Sequence, residues 1–201
     1  MRSFVALIAT LVIVILVGVA TWPWLGPKLD YIKFAIQLSS SAAPDSVAVP
    51  VAGVMRRNLV DTWGGARSGG RRHEGIDIFA SRGTAVIAAT DGLVARIGEN
   101  RLGGRTVWVY GPGRQRHYYA HLDRYAEDLS AGDRVAVGDV LGYVGDSGNA
   151  RGTPPHLHYG IYTMSGAINP YPLLKALPPT APATPTSRQP ASSLPASADS
   201  R

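Results

Sequence analysis

The sequence contains no cysteine among its 201 residues. No disulfide can therefore hold the fold together, and no thiolate can bind a metal ion or attack a substrate. A lipid-modified cysteine near the N-terminus is excluded as well. Any zinc site in this protein must be built from histidine, aspartate or glutamate side chains.

Clustered positive charge is also missing. The net charge of +6 comes mostly from arginines scattered singly or in pairs, such as Arg56-Arg57 and Arg71-Arg72. The sequence has no basic helix and no basic stripe with interleaved aromatic residues, so we expect no nucleic-acid partner. An anionic polymer of the cell envelope fits this distribution of charge better.

Amphipathic helical periodicity is absent from residues 49–177, where short β-branched or alternating runs recur between glycine turns. This pattern predicts an all-β domain, an antiparallel sandwich or barrel. Residues 83–98 predict a strand, a turn at Asp91-Gly92 and a second strand. Residues 104–122 predict a hairpin around Gly111-Pro112-Gly113, and residues 131–145 predict two short strands.

An uncharged apolar run at residues 4–25 opens the chain. It is long enough to cross a bilayer core, which takes about 20 apolar residues. Trp22 and Trp24 lie where an interfacial aromatic belt would be. We predict that residues 1–27 form a transmembrane anchor, with a cleavable signal peptide ending near Gly18-Val19-Ala20 as the alternative. Either interpretation predicts export of the rest of the chain.

The composition changes on both sides of the β-rich segment. Residues 28–48 are interpreted as a linker that is helical in part from Leu29 to Leu38. Residues 49–177 form the predicted domain. Residues 178–201 are dominated by proline, alanine, serine and threonine without apolar periodicity, so we predict a disordered tail.

All five histidines lie in the predicted domain. His156 and His158 in "TPPHLHYGI" emerge on the same face if the segment is a strand. His73 and Asp77 in "RRHEGIDIFA" are four apart and also share one face of an extended segment. Two histidines and an aspartate make a zinc site with one position left for water, whose pKa the metal lowers to about 7. The other histidines could transfer a proton or stabilise an oxyanion.

Several motifs, in this order, resemble those of the lysostaphin-like (LytM-type) zinc metallopeptidases. They are "HEGIDI", "YYAHL", "GDSGNARGTPPHLHYGI" and "AINPYPLL". The likeness extends to "DTWGGAR" before the first histidine and "GTAVIAATDGLV" after it. It spans residues 61–174, which is nearly the whole predicted domain.

The resemblance implies the antiparallel duplicated hybrid motif fold. It also implies that His73, Asp77 and His158 bind one Zn²⁺ per chain, and that His121 and His156 are the catalytic pair. Members of this family cut peptide bonds in peptidoglycan stems or cross-bridges. We therefore expect a zinc endopeptidase on the periplasmic side of the inner membrane, held there by its N-terminal helix, with a protein regulator as a further candidate partner.

Two features depart from the family pattern. The loop before His156 is a residue longer than in many members, and Tyr159-Gly160 replaces the commoner Phe-Glu. The loop borders the expected cleft, so it bears on substrate preference. His117 alternates with Tyr119 and His121 along the predicted strand, and the resemblance gives it no role.

Three other functions have some support in the sequence. A biotinyl or lipoyl carrier needs a lysine at a hairpin tip, but Lys28, Lys33 and Lys175 all lie outside the β-strand segments. A histidine phosphocarrier leaves His73 and Asp77 unexplained. A non-catalytic envelope protein that binds peptidoglycan or activates another cell-wall hydrolase shares every feature except turnover, and it stays open as the alternative.

Overall fold

The structure is a computed structural model that describes residues 2–177, so the tail predicted at residues 178–201 lies outside the described residues. A long helix is followed by nine strands and a short helix. The elements are α1 Arg2–Ser40, β1 Ile76–Phe79, β2 Ala85–Ile87, β3 Gly92–Asn100, β4 Gly104–Tyr110, β5 Arg116–Tyr125, β6 Arg134–Val135, β7 Val140–Val144, β8 His156–Thr163, β9 Gly166–Ile168 and α2 Tyr171–Lys175. Four 3₁₀ turns lie at Arg56–Asn58, Ser68–Gly70, Pro112–Arg114 and Gly148–Ala150.

All nine strands belong to one hydrogen-bonded sheet, and every pairing between them is antiparallel. The main order is β1-β8-β5-β4-β3-β6. Strand β7 pairs with both β2 and β5, and β9 pairs with β8. The predicted antiparallel all-β class is thus confirmed for the domain.

The strand pairings match the sequence predictions in part. Strands β4 and β5 form the predicted hairpin around residues 111–113. The hairpin predicted across Asp91-Gly92 is wrong, because β2 pairs with β7 and not with β3. The chain does not fold back at this point, since Ala88 exchanges backbone hydrogen bonds with Gly138 and Asp139. These bonds direct β2 toward β7, where Val86 is fully buried.

Alternate residues of the central strands face opposite sides of the sheet. On β5 and β8, Tyr119 lies opposite Tyr159, and both side chains are fully buried in the hydrophobic core. Their neighbours Ala120 and His158 also lie opposite each other and face the other side. One face of these strands therefore builds the core, and the opposite face is free to form a site.

Helix α1 is longer than the sequence predicts, because it continues through Pro27 into the predicted linker and ends at Ser40. Its two segments Thr10–Gly26 and Lys28–Ser40 are bent by 51° around Pro27, as expected where a proline interrupts the helical hydrogen bonds. Within residues 2–177, no single helix has the length and apolar character to cross a membrane. The bent pair taken together meets both conditions.

The two segments of α1 have different surroundings. In the first, large apolar side chains such as Leu16 and Trp24 are exposed. In the second, Leu38 is buried and the Arg134 guanidinium lies 4.8 Å from the centre of the Phe34 ring. Packing against the domain supplies tertiary contacts that extend the helix through residues 28–40.

His117 lies on the core face of β5, where it is fully buried. Its Nδ1 is 2.7 Å from the hydroxyl of Tyr159, and it does not line the cleft. Burial lowers the pKa of His117 to about 4. The imidazole is therefore neutral in the folded domain at neutral pH.

The depressed pKa of His117 predicts a loss of stability in acid. The unfolded chain takes up a proton near pH 6.5 and the folded chain near pH 4, so the free energy of unfolding falls as the pH drops between these values. This difference corresponds to about 3 kcal/mol. Urea unfolding at about pH 7 and about pH 4.5 should show that His117→Gln removes this part of the acid-dependent loss. Equal losses in both proteins would contradict the assignment.

Candidate active site

The register between β1 and β8 brings the first set of predicted site residues together. Asp77 lies directly opposite His158, and Phe79 lies opposite His156. Directly opposite residues of an antiparallel pair project to the same face. His73 precedes β1, and its ring lies 4.8 Å from that of His158. Thus three side chains separated by up to 85 residues meet on the face opposite the core.

The donor atoms of His73, Asp77 and His158 form a compact triangle. His73 Nε2 lies 2.8 Å from His158 Nδ1 and 3.0 Å from Asp77 Oδ1. His158 Nδ1 lies 3.3 Å from the same carboxylate oxygen. Tetrahedral zinc with bonds of about 2.0–2.1 Å places its ligand atoms about 3.3 Å apart, so the triangle matches a zinc site closely in size.

The hydrogen bonds around the triangle orient its atoms toward a common point that a cation could occupy. His73 Nδ1 donates to the carbonyl of Thr62 at 2.7 Å, so its Nε2 carries a lone pair toward the triangle. Burial lowers the pKa of His158, which disfavours a second proton there. A proton on His158 Nδ1 can be donated to His73 Nε2 or to Asp77 Oδ1, whereas a bound cation would interact with all three atoms together. The donor set, two imidazoles and a carboxylate, is one that zinc prefers.

Asp77 is held as a carboxylate by its neighbours. Burial raises its pKa, but hydrogen bonds and charge from His158 and His73 outweigh burial and hold the pKa well below its usual range. Its second oxygen, Oδ2, accepts a hydrogen bond from Arg67 at 2.5 Å. Oδ1 is thereby left for the triangle, so one oxygen of the carboxylate pairs with Arg67 and the other belongs to the triangle.

His121 reaches the cleft through a break in strand β5. Strand alternation predicts that it shares a face with His117 and Tyr119, and this expectation is wrong for His121. Its backbone has φ +64°, and the register of β5 shifts on both sides of it. A positive φ is unusual outside glycine and is found at functional sites. Here it turns the imidazole into the cleft that Ala120 also lines.

The environment of His121 sets its protonation state. Burial lowers the pKa of His121 to about 4, although the Nδ1–H that it donates to the Ser147 carbonyl at 2.8 Å acts in the opposite direction. At neutral pH the ring is uncharged. The bond to Ser147 places the proton on Nδ1, so Nε2 presents a lone pair.

His156 is arranged in the same way. Its Nδ1–H donates to the carbonyl of Pro154 at 2.8 Å, and its Nε2 lies 3.9 Å from Asp77 Oδ1. The rings of His121 and His156 lie 5.1 Å apart at 63°. All four predicted histidines and Asp77 thus meet in one cleft, and two imidazoles in addition to the triangle present a free nitrogen there.

The groups that orient these side chains were not predicted from the sequence. Three of them are backbone carbonyls, those of Thr62, Ser147 and Pro154, and a backbone carbonyl leaves no pattern of residue types. The fourth is Arg67, which lies in the quoted motif "DTWGGAR" but was assigned no role. Its partner Asp77 is ten residues away, and only the fold shows that they meet.

A cleft of about 840 Å³ contains the site. This is enough for a ligand of several amino acids. Its walls carry arginines and aromatic rings beside the histidines. These charged and aromatic lining residues include Arg67, Arg71, Arg72, Glu74, Trp108, Tyr118 and Tyr162.

The antiparallel fold and the site together are those of a metallopeptidase of the class that the motifs suggested. The chain belongs to peptidase family M23, whose family model matches residues 71–170. The resemblance found in the sequence is therefore confirmed at the level of the family.

Three relatives illustrate this membership. The chain is 44% identical over 126 residues to the L-Ala–D-Glu endopeptidase of Bacillus subtilis, covering 57% of this chain and 39% of that protein. It is 33% identical over 113 residues to lysostaphin of Staphylococcus simulans, covering 53% and 22%. The crystallised catalytic domain of that lysostaphin matches with a TM-score of 0.53 and 30% identity, covering 60% of this chain and 96% of the domain. The chain thus spans less than half of these two full-length relatives.

Gly75 is predicted to be essential for the metal triangle. A Cβ at this position would lie 2.6 Å from the Tyr159 carbonyl oxygen and 2.8 Å from His158 Nε2, so Gly75→Ala must displace the His158 ring. We expect zinc affinity to fall by about 10- to 100-fold, as when a group that orients a metal ligand is lost. Competition with a zinc chelator measures this.

Gly98→Ala is the matched control, because a Cβ there meets nothing closer than 3.9 Å. It should keep the affinity of the unaltered protein. Equal zinc affinity in the Gly75 and Gly98 variants would show that the ring of His158 does not depend on Gly75.

Proposed function

We propose that this protein is a zinc-dependent endopeptidase that hydrolyses peptide bonds in the stems or cross-links of peptidoglycan. The observation that carries the proposal is the His73-Asp77-His158 triangle with two further imidazoles facing the same cleft. Membership of peptidase family M23 supports it.

The triangle supplies the binding site for the metal. His73 Nε2, Asp77 Oδ1 and His158 Nδ1 are the proposed ligands, and each is oriented by its surroundings before the ion arrives. Bound zinc would lower the pKa of water and polarise a carbonyl group. Because the ligand orientations are set by the fold, little reorganisation accompanies binding.

The two remaining imidazoles are proposed to move the proton. An Nε2 lone pair of His121 or His156 accepts a proton from water as the water oxygen bonds to the carbonyl carbon of the substrate. The same proton then passes to the amine nitrogen as the C–N bond breaks. The carbonyls of Ser147 and Pro154 hold the two rings with Nε2 toward the cleft throughout.

Peptidoglycan as the substrate is supported by the relatives. One relative is named an L-Ala–D-Glu endopeptidase, and another match is a glycyl-glycine endopeptidase of Staphylococcus capitis, 35% identical over 113 residues. The two names differ in the bond that is cut. For this chain we therefore propose hydrolysis of peptide bonds in peptidoglycan without specifying which bond is cut.

Membrane anchoring by the N-terminal helix is a further part of the proposal. Residues 4–25 are uncharged, and side chains such as Leu16, Val19 and Trp24 are more than half exposed, as suits contact with lipid. Peptidoglycan lies outside the cytoplasmic membrane. We place the domain on the periplasmic side of this membrane, and pelleting of the full chain with washed membranes tests the anchor.

A non-catalytic role in the envelope is less well supported. It would require no more than binding to peptidoglycan or to another hydrolase. The metal triangle and both further imidazoles are all present, and each is oriented by its own hydrogen bond or ion pair. Such an arrangement favours a catalytic role over a role in binding alone.

The first test is digestion of purified peptidoglycan by the zinc-loaded full chain in detergent. We expect soluble fragments whose release stops when a chelator removes the metal and resumes when zinc is restored. The masses of the fragments identify the bond. Stoichiometric zinc without release from any peptidoglycan type would contradict the enzymatic proposal.

Substitutions separate the two sets of side chains. We expect His73→Ala, Asp77→Ala and His158→Ala to lose both zinc and activity. His121→Ala and His156→Ala should keep the metal and lose activity by at least about 100-fold, since a positioned proton-transfer group contributes about 10²–10⁴-fold. Zinc content by mass spectrometry and fragment release measure both effects. If all five variants cleave normally, the site assignment is wrong.

A further inference from the structure

A short hairpin that precedes the first metal ligand carries three arginines on the rim of the cleft. Ala66 and Arg72 form an antiparallel bridge, and the Arg67 N–H donates to the Arg71 carbonyl at 2.9 Å. Arg67 and Arg71 are thus opposite each other and project to one face. His73, two residues after Arg71, follows the same alternation. We call residues 66–72 the arginine hairpin.

The charges of the arginine hairpin are compensated unequally. Arg67 is paired with Asp77, the carboxylate of the metal triangle. Arg71 contacts the carbonyl and hydroxyl oxygens of Ser68 at 3.2 and 3.3 Å, and Arg72 contacts the carbonyl of Gly64 at 3.3 Å. Among the described residues, no carboxylate forms an ion pair with Arg71 or Arg72.

The two carboxylates on the cleft wall compensate only in part for the three arginine charges. Asp77 is already shared between Arg67 and the metal triangle. Glu74 interacts with the hydroxyl of Tyr162, and burial together with the charge of Glu74 raises the pKa of that phenol to about 12. The side of the cleft beside His73 is therefore positively charged, while the aromatic rings of Trp108, Tyr118 and Tyr162 line another part of it.

We propose that Arg71 is a specificity residue that binds a carboxylate of an acidic peptide substrate, with Arg72 adding positive charge. The inference rests on the proposed function and narrows its substrate class. Acidic stem peptides carry free carboxylates, whereas oligoglycine bridges carry none within the chain. The cleft therefore selects acidic stem peptides over neutral bridges.

The chemistry of Arg71 suits this role. A guanidinium matches a carboxylate with two parallel hydrogen bonds, which neutral oxygens of Ser68 replace here at longer distances. The hairpin tip contains Gly69 and Gly70, both with positive φ, and a Cβ at either position would meet no atom within 4 Å, so the tip itself is open.

Binding is measured first, because it does not depend on turnover. The probes are a stem peptide isolated from peptidoglycan and the same peptide with its carboxylates converted to methylamides. The protein is the zinc-loaded full chain carrying His121→Ala to prevent cleavage. We compare Arg71 as it stands with Arg71→Gln, Arg71→Lys and the control Arg57→Gln, which removes an exposed charge outside the cleft.

We expect the acidic peptide to bind about 5- to 10-fold more tightly than its methylamide, the range of a partly exposed charged hydrogen bond. Arg71→Gln should abolish this preference without weakening binding of the methylamide. Arg71→Lys should retain part of it, and Arg57→Gln all of it. Added salt should reduce the preference, because it screens exposed charges.

Equal binding of the two peptides, or no binding of either, would overturn the proposal. An equal loss of affinity for both peptides in Arg71→Gln would also overturn the proposal, since it would indicate a structural role for Arg71. Digestion of native and methylamidated peptidoglycan by the chain with His121 intact separates this test from the proposed function. If the acidic peptide binds preferentially but peptidoglycan is not cleaved, the proposed endopeptidase activity is wrong and the carboxylate site stands. If peptidoglycan is cleaved but the acidic peptide is not preferred, the carboxylate site is wrong and the endopeptidase activity stands.

Discussion

Three potential metal-binding atoms that point at one another impose the main constraint on this structure. His73 Nε2, Asp77 Oδ1 and His158 Nδ1 lie 2.8–3.3 Å apart, and a single proton on His158 Nδ1 satisfies these contacts less completely than a cation between all three atoms would. The fold accepts this local cost because each side chain is held from outside. The Thr62 carbonyl, the Arg67 guanidinium and the close approach of Gly75 fix the three groups. A preorganised site of this kind is suited to bind a metal without rearrangement.

The antiparallel sheet supports the site through its alternation, and the site also depends on one place where that alternation fails. Tyr119 and Tyr159 fill the core, so the residues beside them face the cleft. His121 would point inward in a regular strand. Its positive φ and the register shift turn it outward, and the Ser147 carbonyl holds it there. Strained backbone at a functional side chain is stable only when surrounding contacts enforce it.

Much of the site could be predicted before the fold was known. His156 and His158 two apart, and His73 and Asp77 four apart, share faces by the geometry of extended chain alone. The motif resemblance then divided them into ligands and a catalytic pair. Strand pairing was harder, since β2 pairs with the distant β7 although its sequence suggests a local hairpin. The helix predicted from Leu29 to Leu38 is present, but it is continuous with the N-terminal helix and ends at Ser40, and contacts of Phe34 and Leu38 with the domain support it there.

The sequence by itself determined the kind of chemistry, the β class and the apolar start of the chain. Residue types and periodicity are local properties that made the histidines and Asp77 candidates, and the motif resemblance then selected His73, Asp77 and His158 without coordinates. Tertiary structure decided which groups orient them and how His121 reaches the cleft. It also decided that, within residues 2–177, Arg67 has a carboxylate partner and Arg71 has none. These properties depend on backbone carbonyls and on contacts between distant segments, which no short pattern of residues encodes.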